Sequence, residues 1–193
     1  MKKLLLILIP IILCGAGIVF ALTQNNKTTQ PEANLMDKKI LIAYYSRSGN
    51  TKTIAKEIQK QTNAEMFELI PSQKYPSGYD EMTEFAKKEI EQNTTPPLKE
   101  NKDISSYDVI FVGTPIWWGK MSTPVKSFLK ENNFEGKTIV PFVTHGGGGG
   151  YSISKDMQKL APKAKVLNQF TVYGSGDSTT PNEISNWIST LKF

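Results

Sequence analysis

Cysteine and histidine are almost missing from this chain: Cys14 is the one cysteine in 193 residues, and His145 is the one histidine. With no cysteine beyond position 14, the remainder forms no disulfide and does no thiol chemistry. A lone histidine without a cysteine or carboxylate cluster argues against a metal site. Acidic excess is missing too, since 23 basic residues outnumber 18 acidic ones for a net charge of +5. The basic residues are dispersed instead of clustered with aromatics, which excludes a nucleic-acid module and suits an anionic envelope. There are no internal repeats.

The first segment stands apart from the rest. Lys2 and Lys3 precede residues 4–22, which are uncharged and almost wholly apolar, the pattern of a targeting segment. Its length is near the roughly 20 residues that span a bilayer, so residues 1–22 read as a signal peptide or a membrane anchor. Val19-Phe20-Ala21 offers a cleavage site, and the lysines would stay inside. Cys14 sits where a lipoprotein cysteine would, but Leu13 is large for that processing, so lipidation is the less favoured route. Residues 23–37 are polar and aperiodic, as a flexible linker is. Residues 38–193 have the length of one domain with a substantial core.

Within that domain strands and helices alternate. Strands are expected at 40–45, 64–70, 109–112, 138–144 and 166–172, and helices at 52–62, 79–92, 123–131, 152–160 and 182–191. The helices show apolar faces, such as Ile54, Ala55 and Ile58 in the first and Met82, Phe85, Ala86 and Ile90 in the second. Val109-Ile110-Phe111-Val112 reads as a strand buried on both faces and ended by Gly113. Such alternation predicts an α/β fold, a parallel sheet with helices on both faces and right-handed crossovers.

The first strand runs into Ser46-Arg47-Ser48-Gly49-Asn50-Thr51, a polar turn that opens a helix. Short hydroxyl and amide side chains, a flexible glycine and a helix N-terminus suit one bound phosphate. This turn lacks the Gly-Lys-Ser/Thr ending of a nucleotide P-loop and the G-x-G-x-x-G of a dinucleotide fold. It reads equally as an ordinary βα turn with Ser48 or Asn50 as helix cap.

The third strand opens into Thr114-Pro115-Ile116-Trp117-Trp118-Gly119. One tryptophan there would plug the seam between helix and sheet. Two in a loop bounded by Gly and Pro, beside a phosphate turn, are better explained by a flat ring that must be stacked and shielded.

On these two motifs the sequence resembles the flavodoxins, and more closely short flavodoxin-like proteins exported by Gram-positive bacteria. The resemblance covers nearly all of residues 38–193. It implies a flavodoxin-like three-layer sandwich with a five-stranded sheet of order 2-1-3-4-5, the flavodoxin case of ligand binding at a topological switch point. It implies FMN as cofactor. Ser46, Ser48, Asn50 and Thr51 would offer side-chain contacts to its phosphate, and Arg47, Ser48 and Gly49 backbone N–H groups. Thr114, Pro115, Ile116, Trp117, Trp118 and Gly119 would wrap the ring, and Thr144, His145, Gly146, Gly147 and Gly148 would close the other side. His145 is open between a contact to flavin edge or substrate and a polar strand end. The glycines after it allow close backbone approach to the flavin.

No residue need act as acid or base, because FMN carries the redox chemistry. The function expected is an electron carrier at the extracytoplasmic face of the membrane, anchored or secreted. It would work as a monomer with redox partner proteins, touching the membrane through residues 4–22 if these are kept. An FMN-dependent NAD(P)H:quinone or flavin oxidoreductase is the alternative, and a fold that no longer binds flavin is the weaker one. Residues 38–193 carry 20 basic and 16 acidic residues, because the first 37 take three of the former and two of the latter. Ordinary flavodoxins are acidic, so the usual steering toward basic partners does not carry over.

Overall fold

The computed structural model describes residue 35, residues 37–148 and residues 152–193. The proposed targeting segment and nearly all of the linker, with Gly149 and Gly150, lie outside the described residues. Leu35 packs partly against the core. Among the described residues no helix is long and apolar enough to cross a membrane.

Twelve elements follow in order. They are β1 (Ile40–Tyr44), α1 (Asn50–Thr62), β2 (Glu65–Glu68), α2 (Tyr79–Glu91), β3 (Val109–Trp117), β4 (Lys120–Met121), α3 (Thr123–Glu131), β5 (Thr138–His145), α4 (Ile153–Leu160), β6 (Lys165–Val166), β7 (Phe170–Tyr173) and α5 (Thr180–Thr190). Hydrogen-bonded neighbours run β2-β1-β3-β5-β6, with β7 also on β5 and β4 folded back on β3. Counting β6 and β7 as one interrupted edge strand, this is the order 2-1-3-4-5, and its main ladders are parallel.

The edge strand breaks because it carries one extra residue. Val166 pairs with Ile139 and Phe170 with Phe142, so four steps on the edge match three on β5. That is the signature of a bulge.

The apolar runs of β1, β3 and β5 alternate between two cores. Leu41, Ile110 and Ile139 face one side with Val125, Phe128 and Met157 from α3 and α4. Ile42, Phe111 and Phe142 face the other with Ile54 and Ile58 of α1 and Ile184 of α5. Both faces being covered explains why these strands read as continuous apolar runs and not as alternation.

Strand β3 does not stop at Gly113 as its composition suggests. It continues to Trp117, because Gly113, Thr114 and Pro115 still pair with Phe142, Val143 and Thr144 of β5. Gly113 marks a close approach instead of an end: a Cβ there would lie 2.2 Å from the Phe142 ring. The extension carries the tryptophan loop past the end of β1 and beside the 46–51 turn.

Candidate cofactor cleft

The carboxyl ends of β1, β3 and β5 surround a cleft of about 510 Å³, within the usual range for small-molecule sites. Arg47, Ser48, Asn50 and Thr51 line it from the first turn, and Pro115, Ile116, Trp117, Trp118 and Gly119 from the second. Thr144, His145, Gly146 and Gly147 come from the end of β5. Three loops separated widely in sequence thus meet at one cleft.

Four of the expected residues do not line the cleft themselves. Ser46 Oγ accepts the Lys52 N–H at 3.2 Å. Gly49 shapes the turn with φ of +92°. Thr114 is fully buried, its hydroxyl donating to Pro115 O while accepting the Ser122 N–H at 2.9 Å. Gly148 follows the lining glycines with φ of +69°.

Helix α1 begins with Gly49 as its cap and without a side-chain cap hydrogen bond. Neither Ser48 nor Asn50 therefore fills the ordinary capping role. The first N–H groups of a helix lack intrahelical partners; here Ser46 Oγ takes that of Lys52, and Ser48, Asn50 and Thr51 at the helix start line the cleft. An anion satisfies such groups and meets the positive end of the helix. Thr51 is held in place by Thr144, their hydroxyl oxygens 2.8 Å apart.

The two tryptophans divide the work that their adjacency seemed to give to both. Trp117 packs edge-on against Tyr45 at 5.3 Å and tilted against Tyr75 at 5.9 Å, so one face belongs to the core cluster. Trp118 is 52% exposed. It occupies the left-handed region with φ of +48°, followed by Gly119 at +77°. Because Trp117 pairs with Lys120 across them, these two residues are the tight turn of a β-hairpin, a place that favours Asn-Gly. A bulky residue there is strained, and the indole is fastened by its Nε1–H donating to Thr83 O at 3.0 Å with Lys87 Nζ over the ring.

Helix α2 supplies lining that the motifs did not reveal: Tyr79, Met82, Thr83 and Ala86. Met82 and Ala86 belong to the helix's apolar face, and the same face serves core and cleft. Behind it, the buried Glu89 carboxylate accepts from Gln73 Nε2, Tyr75 OH and Thr123 Oγ1. Burial, with Glu89 adding to it, pushes the Tyr75 phenol well above its ordinary range.

On the far side His145 meets Tyr173 edge-on at 5.9 Å. Its Nδ1 is buried without a hydrogen-bond partner among the described residues, which marks a polar atom whose environment is incomplete. Gly147, at φ of +144°, takes a backbone conformation closed to most side chains. No group of acidic, cysteine or histidine side chains among the described residues could hold a metal.

The flavodoxin family profile matches residues 39–191. The chain belongs to the flavodoxin family. Among solved structures this family member is similar to a provisionally named flavoprotein from Bacteroides eggerthii, at 26% identity over 81% of this chain and 100% of that one, with a TM-score of 0.71. A Lactobacillus acidophilus flavoprotein solved in complex with FMN matches at 26% identity over 78% of this chain and 98% of that one, TM-score 0.62. Oxidised flavodoxin 2 from Bacillus cereus, at 19% identity over 78% and 94% with a TM-score of 0.52, shares the fold.

Proposed function

We propose that this flavodoxin-family protein binds FMN in the cleft and carries electrons between partner proteins at the extracytoplasmic face of the membrane. The observation that carries the FMN reading is the start of α1 at the cleft, where Ser48, Asn50 and Thr51 line it beside the aromatic wall of Trp117 and Trp118. The Lactobacillus acidophilus relative with FMN bound supports it. Ser48, Thr51 and the N–H groups at 48–51 would hold the phosphate, and Trp118 and the 145–147 segment would shield the ring.

Bound FMN supplies one- and two-electron redox chemistry. The chain's own part is to bind, orient and partly exclude water, and no side chain need move a proton. The basic leader and apolar residues 4–22 support the extracytoplasmic placement. The carrier role over a reductase is supported by export, which separates the protein from cytosolic NAD(P)H.

Titration of the purified protein with FMN and with riboflavin tests the cofactor reading. Charge-assisted hydrogen bonds are worth about 1.5–3 kcal/mol each, so replacing Ser48 and Thr51 together by Ala should weaken FMN far more than riboflavin. Equal losses would remove the phosphate assignment. Adding NADH or NADPH to the FMN-loaded protein then separates the roles: rapid bleaching of the flavin would make it a reductase. Protease added to intact cells should cut within residues 23–37, and cleavage only after lysis would reverse the placement.

A further inference from the structure

We infer that α2 is a further wall of the cofactor cleft, beside its three loops, and that Arg47 and Trp118, one from each of the first two loops, are the positioning residues that hold it there. This rests on the FMN reading of the cleft.

Helix α2 is weakly anchored by packing. It buries only Met82, Ala86 and Glu89, whereas the shorter α3 buries six residues. Its cap is Gly78, which has no side chain to hold the first turn, and residues 72–74 and 77–78 leading into it are exposed. The Glu89 carboxylate fixes the helix's last turns to Gln73, Tyr75 and Thr123. The first half, which faces the cleft, has no comparable anchor of its own.

Two bonds from the cleft loops supply it. Arg47 Nη2 donates to Ser77 O at 2.8 Å and to Gly78 O at 3.0 Å, the carbonyls that lead into the first turn. Trp118 Nε1 donates to Thr83 O at 3.0 Å, one turn further on. Guanidinium donors are directional, and a charged donor to a carbonyl is among the stronger hydrogen bonds available. The motif offers the phosphate only the backbone N–H of Arg47, and the guanidinium is committed to α2. Among the described residues Arg47 forms no ion pair, so its fork is not diverted to a carboxylate.

The consequence is testable because an anion contact and a wall-positioning contact treat two ligands differently. FMN and riboflavin share the ring, and only FMN has the phosphate. Arg47→Ala should weaken both by about the same factor, on the order of 10-fold or more for a lost charged hydrogen bond. In the cofactor-free protein it should also speed amide exchange of residues 79–86 while leaving 88–91 near the Glu89 anchor unchanged. Trp118→Phe keeps an aromatic ring, removes the indole N–H and should raise exchange over the same stretch.

A loss of FMN affinity with riboflavin unchanged would make Arg47 an anion contact and overturn the inference. Unaltered exchange of residues 79–86 in both variants would overturn it as well. If the wild-type protein bound neither ligand, the FMN reading would fall, and the exchange comparison would still decide whether Arg47 and Trp118 hold α2.

Discussion

Thr51 and Thr144 lie 93 positions apart and meet through their hydroxyls at 2.8 Å, both almost fully buried. The bond ties the start of α1 to the end of β5, and so joins the phosphate side of the cleft to its glycine side. Thr144→Val removes one partner and leaves the Thr51 hydroxyl buried without it, which costs about 1–3 kcal/mol. Urea unfolding should show that loss, and FMN should bind more weakly as the Thr51 hydroxyl loses its orientation. Thr144→Ser should restore both. A Val variant as stable as wild type would mean the pair contributes nothing.

The tight turn at Trp118-Gly119 sets a second expectation. Both residues have positive φ, and left-handed backbone costs an ordinary L residue about 1–2 kcal/mol, a cost that Asn largely escapes. Trp118→Asn should therefore weaken FMN without lowering the melting temperature, although a large ring is lost. A clear fall in melting temperature would show that the indole stabilises the fold by more than the turn strains it.

Much of this fold is legible because burial writes itself into composition. The strands at 40, 109 and 138 are apolar on both faces, and the two loops after β1 and β3 carry motif residues at the carboxyl end of the sheet. What could not be read follows from contacts between distant segments. Composition put the end of β3 at Gly113, but pairing with β5 carries it on to Trp117. Adjacency gave Trp117 and Trp118 one role, whereas Tyr45 and Tyr75 claim a face of the first. Helical periodicity marked Met82 and Ala86 as inward, yet period alone does not say whether inward means core or cleft. The Arg47 guanidinium reaches carbonyls 30 and 31 positions away, and carbonyls leave no trace in a sequence.

At the amino ends of the strands Glu65 accepts from both Lys102 and Tyr107. The Lys102 hydrogen bond foremost, then Tyr107, lowers its carboxyl below the ordinary 4.5. A carboxyl depressed in the folded state adds stability that is complete above the unfolded value and lost as pH falls through the folded one. Its side chain is 50% exposed, so solvent screening holds the contribution to about 0.2–1 kcal/mol. Urea midpoints measured downward through pH 4.5 should fall less steeply in Lys102→Ala than in wild type. The Lys102 ammonium is itself raised above 10.5, so its own share persists through neutral pH and disappears only in strong base. Identical acid limbs for the two proteins would remove the pair from the account.

Charge around the cleft bears on the reduction potential of bound FMN. Reduction adds negative charge, which neighbouring cations favour and carboxylates oppose. Of the cations near the two loops, Lys52 is paired with Glu68 at 2.7 Å and Arg47 is turned to the start of α2. Lys87 sits 5.2 Å over the Trp118 ring, and Lys120 is exposed in the hairpin opposite Trp117. Helix α2 also brings Asp80 and Glu81 into its first turn beside Tyr79, so the local field is mixed and the two lysines offset nearby acid. Lys120→Glu should lower the midpoint potential for full reduction, and by less at high salt, because the charge is exposed and screened. Lys163→Glu is the control: Lys163 pairs with Glu135 before β5 begins, at the opposite end of the sheet. Spectroelectrochemistry on the three proteins checks this, and an unchanged or raised potential in Lys120→Glu would exclude Lys120 from setting it.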